Sequence, residues 1–311
     1  MKLAIYGTGG VGGYFGGRLA HSGHDVAFIA RGDHLREMQN SGLAVESING
    51  DFHINNPVVT DDPETVGPVD AVLLAVKSWQ VPETALAMQP LVGPDTFVVS
   101  LLNGVESTDQ LSEVFGRERV MGGVAKLFSF IERPGLIRHI GHEPTLVLGE
   151  LDGVASDRLN RLSALLGDAG IGVERPDSIL VAIWAKFLFT TGWGGLGAIS
   201  RAPIGVLRDE SSTHTVINAC MHETEAVARA VGIPLPEDII ARTWAFIQAL
   251  EPTGTSSLQR DIAAGRPSEL DAWNGAVVRI GRRHSVATPT HDLIVSALQP
   301  LEKRARGELT F

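Results

Sequence analysis

The sequence of 311 residues has a single cysteine, Cys220, and few aromatic side chains, which make up 6% of it. One cysteine excludes an internal disulfide, and its place in a helical pattern indicates a small core residue rather than a nucleophile. The longest uninterrupted apolar runs, such as residues 71–76, are too short to cross a bilayer, and Met1 leads into a strand pattern without a signal peptide. We therefore expect a cytoplasmic protein with no membrane partner.

Positive charge is also scarce. The chain has 26 lysines and arginines against 36 aspartates and glutamates, which gives a formal net charge of −10. This balance argues against a nucleic-acid partner. An anionic cofactor or substrate would then depend on a few local cations. The histidines lack the neighbouring cysteines or carboxylates of a metal site, so we expect no metal.

Glycine, in contrast, is abundant, and the segment formed by residues 1–17 is built around it. A short apolar run, residues 2–6, leads directly into a G-x-G-x-x-G motif, the order strand, tight turn and helix of a dinucleotide-binding unit. The free N–H groups of such a helix start face the pyrophosphate of the cofactor. The motif predicts a cofactor site formed by Gly7, Thr8, Gly9, Gly10, Val11 and Gly12.

The residue after the second predicted strand, residues 24–30, bears on the choice of cofactor. In a dinucleotide-binding unit an acidic side chain at this point bonds the ribose 2′-hydroxyl, whereas an arginine accommodates a 2′-phosphate. Arg31 stands here, which favours NADP. The alternative is that Arg31 is a solvated loop charge and that Asp33 is the ribose ligand.

Polar side chains follow two further buried strands of the predicted sheet. Lys77 comes directly after the strand at residues 69–76, and Asn103 follows the strand at residues 97–102. Charged and polar residues at the carboxyl ends of parallel strands point into the crevice where ligands bind. Their similar placement supports a site at this edge.

The order of elements predicts two domains. Strands alternate with helices up to about Pro176, and antiparallel strands at residues 120–130, 136–140 and 145–148, separated by turns at residues 134–135 and 141–144, complete the sheet. From Ser178 onward the pattern is helical. We predict an α/β fold: a Rossmann-type, doubly wound NADP-binding domain at residues 1–176, followed by an all-α substrate and catalytic domain at residues 177–311.

Lys186 lies in an otherwise apolar stretch of the helical half, AIWAKFLFTTGW. It shares one helical stripe with Thr190 and Gly194. A structural salt bridge or a snorkelling lysine would also explain its position. The nearby glycines at positions 192, 194, 195 and 197 are costly in a helix, at about 1 kcal/mol each relative to alanine, so they indicate either close helix packing or room for a ligand.

A second polar cluster lies further along, where GTSSL contains Ser256 and Ser257, and Glu269 follows Pro267-Ser268. Hydroxyl groups and a helix N-terminus can bind a carboxylate. Helix capping by Ser257 and Ser268 explains the same residues equally well.

These pieces together resemble the ketopantoate reductase family (2-dehydropantoate 2-reductases) over essentially the full chain. The matching segments are GTGGVG, Arg31, VKSWQ with Lys77, LNGV with Asn103, WAKFLF with Lys186, and TSSLQRDI followed by SELD with Glu269. The resemblance implies NADPH-dependent reduction of the 2-keto group of ketopantoate to pantoate, in pantothenate biosynthesis. It also implies that a Rossmann domain holds NADPH and that a helical domain closes over the substrate.

The same resemblance implies roles for single residues. The glycine turn would bind the pyrophosphate, Arg31 the 2′-phosphate, and Lys77 and Asn103 would lie along the nicotinamide. Lys186 would be the catalytic acid, and Glu269 would lie between cofactor and substrate. The implied substrate-binding residues are Asn103, Lys186, Thr190, Gly194, Ser256 and Ser257.

The sequence departs from the family at two of these positions. Family members that reduce ketopantoate typically have asparagines four and eight residues after the lysine, where this chain has Thr190 and Gly194. We expect a roomier and less polar pocket, which supports, as an alternative to ketopantoate reduction, a reductase of another 2-keto acid that forms D-2-hydroxy acids. A nonenzymatic NADPH sensor is a third hypothesis, against which Lys186 and Glu269 argue.

The apolar helices of the second domain fit a homodimer interface and the core of a monomer equally well.

Overall fold

The structure, a computed structural model, describes all residues 1–311 and contains two compact units. The first comprises Met1–Leu102 and Ser107–Ala182, and the second comprises Asn103–Glu106 and Ile183–Phe311. The first unit is a mixed α/β sheet domain and the second is helical, which confirms the predicted fold class. The predicted division near residue 176 did not assign the short segment Asn103–Glu106 to the second unit.

Ten strands form one sheet in the first unit. They are β1 (Lys2–Tyr6), β2 (Asp25–Ile29), β3 (Leu43–Ser47), β4 (Phe52–Ile54), β5 (Val58–Thr60), β6 (Val69–Leu74), β7 (Val92–Ser100), β8 (Val120–Arg133), β9 (Leu136–Glu150) and β10 (Gly172–Glu174). Their order is β4-β3-β9-β8-β7-β6-β1-β2-β5, with β10 beside β9.

Helices connect the strands and make up the second unit. The first part of the chain has α1 (Gly10–His21), α2 (Gly32–Ser41), α3 (Val81–Ala87), α4 (Ser107–Phe115) and α5 (Asp157–Asp168), with 3₁₀ turns at Pro63–Thr65, Ser78–Gln80, Gln89–Leu91 and Arg117–Arg119. The helical part has α6 (Ile179–Ser200), α7 (Ile204–Asp209), α8 (Ser211–Val231), α9 (Ile239–Ala249), α10 (Ser257–Ala263), a π-helical turn at Asp271–Gly275, α11 (Ala276–Arg283) and α12 (Pro289–Ala305).

The strands β5-β2-β1-β6-β7-β8 are parallel throughout. Strand order reverses at β1, which lies between β2 and β6, as in a doubly wound sheet. Tyr6 pairs with both Ile29 and Leu74, so the carboxyl ends of these three strands lie at one edge. In such sheets ligands bind beyond the carboxyl ends, at the point where the strand order reverses. The glycine turn follows β1 at that point.

The antiparallel part of the sheet differs from the prediction. The turn at Pro134-Gly135 is confirmed, and Gly135 has the positive φ of +76° that a tight turn requires. The second predicted turn, at residues 141–144, is wrong, because β9 runs unbroken through it from Leu136 to Glu150. The pairing of β8 and β9 shifts register between Lys126 and Phe128, and this irregularity accommodates Gly141 and Pro144 within one long hairpin.

The glycines of α6 serve close helix packing, which decides between the two readings of the sequence. A Cβ atom at Gly192 would lie 2.8 Å from Met221, and one at Gly197 would lie 2.7 Å from Gln259. At Gly195 it would lie 2.5 Å from Ile294. These separations are shorter than van der Waals contact, so a side chain at any of the three positions would require the neighbouring side chain to move.

Helix α6 could cross a bilayer by its dimensions, although the chain has no long uninterrupted apolar run. It is 22 residues long and apolar enough to do so by length and composition, with Lys186 as its charged residue. In the folded chain 61% of its most apolar window is buried, as in the core helix of a soluble protein. The run was missed because Lys186 interrupts it.

A buried polar network ties α6 to the helices around it. The imidazole Nε2 of His291 donates to the carbonyl of Cys220 at 3.0 Å, and Nδ1 accepts from the amide of Asn274 at 2.9 Å. The hydroxyl of Thr224 lies 3.1 Å from that of Thr191 on α6. Cys220 is buried, which confirms it as a core residue, and this burial raises the pKa of its thiol to about 12.

Burial lowers the pKa of His291 from its ordinary value of 6.5. The unfolded chain therefore binds a proton at this residue at a higher pH than the folded protein does, and the free energy of unfolding falls as the pH drops below 6.5. We expect His291→Asn to weaken this pH dependence by at most about 1.4 kcal/mol per pH unit. Urea denaturation between about pH 5.5 and 7.5 measures it. An unchanged slope in the variant would contradict the prediction.

Candidate active site

The three glycines of the G-x-G-x-x-G motif have different surroundings in the first unit. Gly7 has a φ of +96°, and a Cβ atom there would lie 2.8 Å from the backbone of Ala75. A Cβ atom at Gly12 would overlap the carbonyl oxygen of Gly7, so only glycine lets α1 pack this closely on the turn. At Gly9 nothing lies within 4 Å of that position.

The open space at Gly9 lies at the N-terminus of α1. Gly9 is the N-cap residue of this helix, no side chain caps it, and its first turn contains no acidic residue. Uncapped N–H groups and the helix dipole favour an anion at such an end. The surroundings of Gly9 therefore fit the pyrophosphate of a dinucleotide.

The remaining motif residues have structural contacts. The Thr8 hydroxyl donates to the carbonyl of Ile29 at 3.1 Å and fixes the turn to the end of β2. Gly10 backs onto Ser129 and Phe130 of β8, too closely for a side chain. Val11 packs against the hydrophobic core.

Arg31 and Asp33 differ in what surrounds them. Arg31 is the N-cap residue of α2, and its Nη1 lies 3.9 Å from the Glu83 carboxylate. Burial raises the pKa of the Tyr6 hydroxyl, and Arg31 beside it opposes that rise. Asp33 forms an ion pair with Arg36. Each of the two side chains therefore has a charged partner, Glu83 for Arg31 and Arg36 for Asp33.

Lys77 follows β6 at the carboxyl edge of the sheet. Its backbone N–H donates to the Gln80 side chain at 3.1 Å, and its ammonium group lies 5.8 Å from the centroid of the Trp79 ring. Both contacts hold the short 3₁₀ turn that follows the strand. The lysine therefore has a defined position at this edge.

Asn103 belongs to a short segment that ion pairs hold within the second unit. Glu106 accepts hydrogen bonds from Arg279 at 2.7 and 3.3 Å and from Arg283 at 3.3 Å. The hydrogen bond to Glu106 raises the pKa of Arg279. Gly104 has a φ of +105°, and a Cβ atom there would lie 3.2 Å from the carbonyl oxygen of Ala272. The segment that carries Asn103 thus packs on the π-helical turn.

The predicted stripe on α6 is present, and its members differ in exposure. Lys186 and Thr190 are partly buried, whereas Gly194 is buried. The Thr190 hydroxyl lies 3.1 Å from the carbonyl of Lys186 and 3.0 Å from that of Phe187, to which it donates. Its proton is therefore engaged by its own helix.

The two serines of the GTSSL segment have separate positions. Ser256 is the N-cap residue of α10, where its hydroxyl accepts from the backbone N–H of Gln259 at 3.0 Å and donates to the carbonyl of Gly194 at 3.4 Å. Ser257 is the first residue of that helix. The capping serine is thus Ser256, and not Ser257 as the capping alternative supposed.

Glu269 is 6% exposed and follows a serine that is also held in place. The Ser268 hydroxyl donates to the Glu302 carboxylate at 2.6 Å and accepts from the backbone N–H of Leu270 at 3.3 Å. The carbonyl of Glu269 accepts from the N–H of Trp273 at 3.0 Å. Glu269 therefore begins the helical turn that contains Trp273.

Backbone and side-chain contacts join these segments in the second unit. Gly194 meets Ser256 and Trp273, and Gly104 meets Ala272. The structure thereby brings together the segments that carry Asn103, Lys186, Ser256 and Glu269. The expectation of more room at Gly194 is wrong, because the Trp273 ring occupies the space beside it, 3.0 Å from the position of a Cβ atom.

The sequence analysis missed four residues that shape this region: Glu106, Trp273, Asn274 and Arg279. The ion pair of Glu106 with Arg279 joins residues that are 173 positions apart, for which a single sequence has no signal. Trp273 and Asn274 lie in a π-helical turn, which is common at functional sites but has no simple sequence pattern.

One cavity lies away from these segments. A cavity of about 480 Å³ in the first unit is lined by Arg117, Glu150 and Arg158, among others, and Arg158 binds the Glu150 carboxylate at 2.5 Å. Its central charges are therefore paired with each other. No group of histidine, cysteine, aspartate or glutamate side chains could hold a metal ion.

Comparison with known proteins identifies a family for both parts of the chain. The family model described as Ketopantoate reductase PanE/ApbA matches residues 3–153, and the model of the C-terminal domain of the same family matches residues 178–302. An oxidoreductase of Bacillus subtilis strain 168, named YkpB and described as uncharacterized, is 28% identical over 303 residues, which is 97% of this chain and 99% of that protein.

Solved structures agree with this assignment. The crystal structure of a PanE/ApbA family ketopantoate reductase from Ralstonia eutropha JMP134 is 33% identical, with a TM-score of 0.91, and the match covers 98% of this chain and 100% of that one. A D-mandelate dehydrogenase, solved with NADH and anilino(oxo)acetate, is 25% identical with a TM-score of 0.89, over 98% of this chain and 100% of that one.

Two glycine substitutions separate cofactor binding from folding. Gly9→Ala places a methyl group in open space, so the variant should fold with wild-type stability. The methyl group would stand where we expect the pyrophosphate, so binding of a nicotinamide cofactor, measured with NADPH, should weaken by about tenfold or more. Gly12→Ala should instead lower the melting temperature, because its methyl group overlaps the Gly7 carbonyl. Calorimetric titration and thermal denaturation measure both effects. Wild-type NADPH affinity in a folded Gly9→Ala variant would contradict the assignment.

Proposed function

Because the chain belongs to the ketopantoate reductase PanE/ApbA family of oxidoreductases, we propose that it reduces the 2-keto group of a 2-keto acid to a hydroxyl group, with NADPH as the reductant. Ketopantoate is the first substrate candidate, and its product pantoate would place the chain in pantothenate biosynthesis, in the cytoplasm. The observation that carries the proposal is the meeting of the segments bearing Asn103, Lys186, Ser256 and Glu269 in the second unit.

Lys186 is the proposed proton donor of the reaction. Reduced nicotinamide, when bound, supplies a hydride to the 2-keto carbon. The keto oxygen gains negative charge in that step, and an ammonium group stabilises this charge and donates the proton that completes the hydroxyl group. In this proposal the partly buried Lys186 serves both purposes, and the buried carboxylate of Glu269 orients it.

The remaining predicted residues hold the two ligands. Gly9 and the N-terminus of α1 would receive the pyrophosphate, Arg31 the 2′-phosphate, and Lys77 would lie along the nicotinamide end. Asn103, Thr190 and the serines Ser256 and Ser257 would contact the substrate. This division assigns cofactor binding mainly to the first unit and substrate binding to the second.

A second candidate substrate is a 2-keto acid without a side-chain hydroxyl group, reduced to a D-2-hydroxy acid. Thr190 donates to its own helix, and Gly194 has no side chain, so neither supplies an amide to a substrate hydroxyl. The related D-mandelate dehydrogenase was solved with anilino(oxo)acetate, an oxoacetate bearing an aromatic group. Both observations favour this alternative on the same scaffold.

Removing the proposed proton donor should stop catalysis and spare cofactor binding. We expect Lys186→Ala to lower kcat by about 10²- to 10⁴-fold, the usual contribution of a positioned acid, while the Kd for NADPH stays at the wild-type value. NADPH oxidation with ketopantoate and a panel of other 2-keto acids measures kcat.

The matched control is Lys126→Ala, which removes a lysine paired with Glu174 at 2.6 Å in the sheet domain. It should keep wild-type turnover. If Lys186→Ala instead loses NADPH binding together with activity, the lysine has a structural role and the proposed mechanism is wrong.

Arg31 should determine the preference for NADPH over NADH. Arg31→Ala removes the cation proposed for the 2′-phosphate, so kcat/KM for NADPH should fall by about tenfold or more while the value for NADH changes little. Arg138→Ala is the control, because that arginine of the sheet domain pairs with Glu46 and Glu132. Equal losses with both cofactors would show that Arg31 supports the fold rather than the phosphate.

A further inference from the structure

Arg31 and Glu83 are far apart in the chain, and the parallel sheet of the first unit brings them together. Tyr6 ends β1 and pairs with Ile29 of β2 on one side and with Leu74 of β6 on the other. Arg31 follows β2, and Glu83 belongs to the first turn of α3, the helix after β6. Both charged side chains therefore stand at the carboxyl edge of the sheet, where the strand order reverses and where a dinucleotide binds in such folds.

The contact between these two charges is loose. Nη1 of Arg31 lies 3.9 Å from Oε1 of Glu83, and the two side chains are 55% and 77% exposed. A charge-assisted hydrogen bond is about 2.7–2.9 Å long, and an exposed ion pair gives little stability because water screens it. The guanidinium group is therefore available to a stronger anion, although a carboxylate stands beside it.

The Tyr6 hydroxyl is the third polar group of this cluster. Tyr6 is 3% exposed, and its burial raises the pKa of the hydroxyl. Arg31 opposes this rise and Glu83 adds to it, so the hydroxyl is close enough to both charges to respond to them. Because the sheet holds Tyr6 in place, a polar group stays beside the guanidinium when the charge of Glu83 is removed.

The two charged residues belong to different kinds of ribose site. In a dinucleotide-binding unit an acidic side chain bonds the free 2′-hydroxyl of NADH, whereas an arginine accommodates the 2′-phosphate of NADPH. Here one of each stands in the same pair. A phosphate carries about −1.5 to −2 charges at pH 7, so it attracts Arg31 more strongly than Glu83 does, and the displaced carboxylate then repels it.

We propose that Glu83 is a specificity-determining residue for the cofactor, which weakens the binding of the 2′-phosphate and accepts a hydrogen bond from a free 2′-hydroxyl. The site then takes NADH as well as NADPH. The inference rests on the proposed function, since it concerns the reductant of the same reaction. Arg31 and Glu83 divide the task, because the arginine serves the phosphate and the carboxylate serves the hydroxyl.

Calorimetric titration of the full-length protein with NADPH and with NADH, without a keto acid, tests the proposal. The two dinucleotides differ only in the 2′-phosphate, so the ratio of their Kd values isolates the binding of that group. At about 50 mM salt, where exposed charges are weakly screened, we expect the wild-type Kd values to lie within about tenfold of each other. A wider preference for NADPH would overturn the use of both cofactors.

Replacing Glu83 then assigns the preference to its charge. Glu83→Gln should lower the Kd for NADPH by about threefold to tenfold, because a repelling charge near the phosphate is gone. It should raise the Kd for NADH by about twofold or more, since an amide oxygen is a weaker acceptor than a carboxylate. At about 500 mM salt the gain for NADPH should shrink, because ions screen exposed charges. Glu83→Asp keeps the charge and should keep the wild-type ratio.

The matched control is Asp109→Asn, a variant of α4 in the same unit. Asp109 lies 3.9 Å from Nη1 of Arg117, and the two side chains are 74% and 55% exposed, so this pair closely resembles that of Arg31 and Glu83. The control should keep both wild-type Kd values. An equal change in Asp109→Asn and Glu83→Gln would assign the effect to the net charge of the protein and overturn a specific role of Glu83.

The outcomes separate the inference from the proposed function. If both dinucleotides bind but Glu83→Gln, shown by circular dichroism to be folded, keeps the wild-type ratio of Kd values, the inference fails and the proposed function is unaffected. If the ratio shifts as expected but no 2-keto acid is reduced with either cofactor, the inference stands and the proposed function fails. Binding of neither dinucleotide would overturn both.

Discussion

Both units depend on glycine at positions where a helix backbone lies closer to its neighbours than a side chain would allow. In the sheet domain, α1 reaches the turn after β1 because Gly12 has no Cβ atom to overlap the Gly7 carbonyl. In the helical unit, α6 lies against Met221, Ile294 and Gln259 through successive glycines. In each case the glycine loses more conformational entropy on folding than alanine would, and the close packing offsets that cost. The same contacts position the start of α1 and the stripe of Lys186.

Local patterns sufficed to predict the fold class and the strand, turn and helix that carry the glycine motif. The apolar strand, the glycine spacing and the following helix are contiguous, so their geometry follows from chain order alone. The prediction of a turn at residues 141–144 was wrong for the opposite reason. Gly141 and Pro144 are typical turn residues, yet β9 passes through them because pairing with β8 and β3 on either side outweighs the local preference.

The site in the helical unit was predictable only in part. The resemblance supplied Lys186 and Glu269 as single residues, and their roles stay predictions. What surrounds them depends on contacts between distant parts of the chain. Asn103 joins the helical unit through Glu106 and Arg279, and Gly194 meets Trp273 across 79 positions of sequence, two pairings that neither periodicity nor composition encodes. A glycine on a helix stripe therefore does not show that there is free space beside it, because a residue distant in sequence can fill that space.

The π-helical turn at Asp271–Gly275 has a consequence for how this chain can change in length. Such a turn holds one more residue than an α-helical turn over the same contact. Deleting one residue from it would change the register between the chain before the turn and α11, so Trp273 and Asn274 would not both keep their contacts with Gly194 and Gly195. The segment between Glu269 and α11 is therefore expected to tolerate no change in its length.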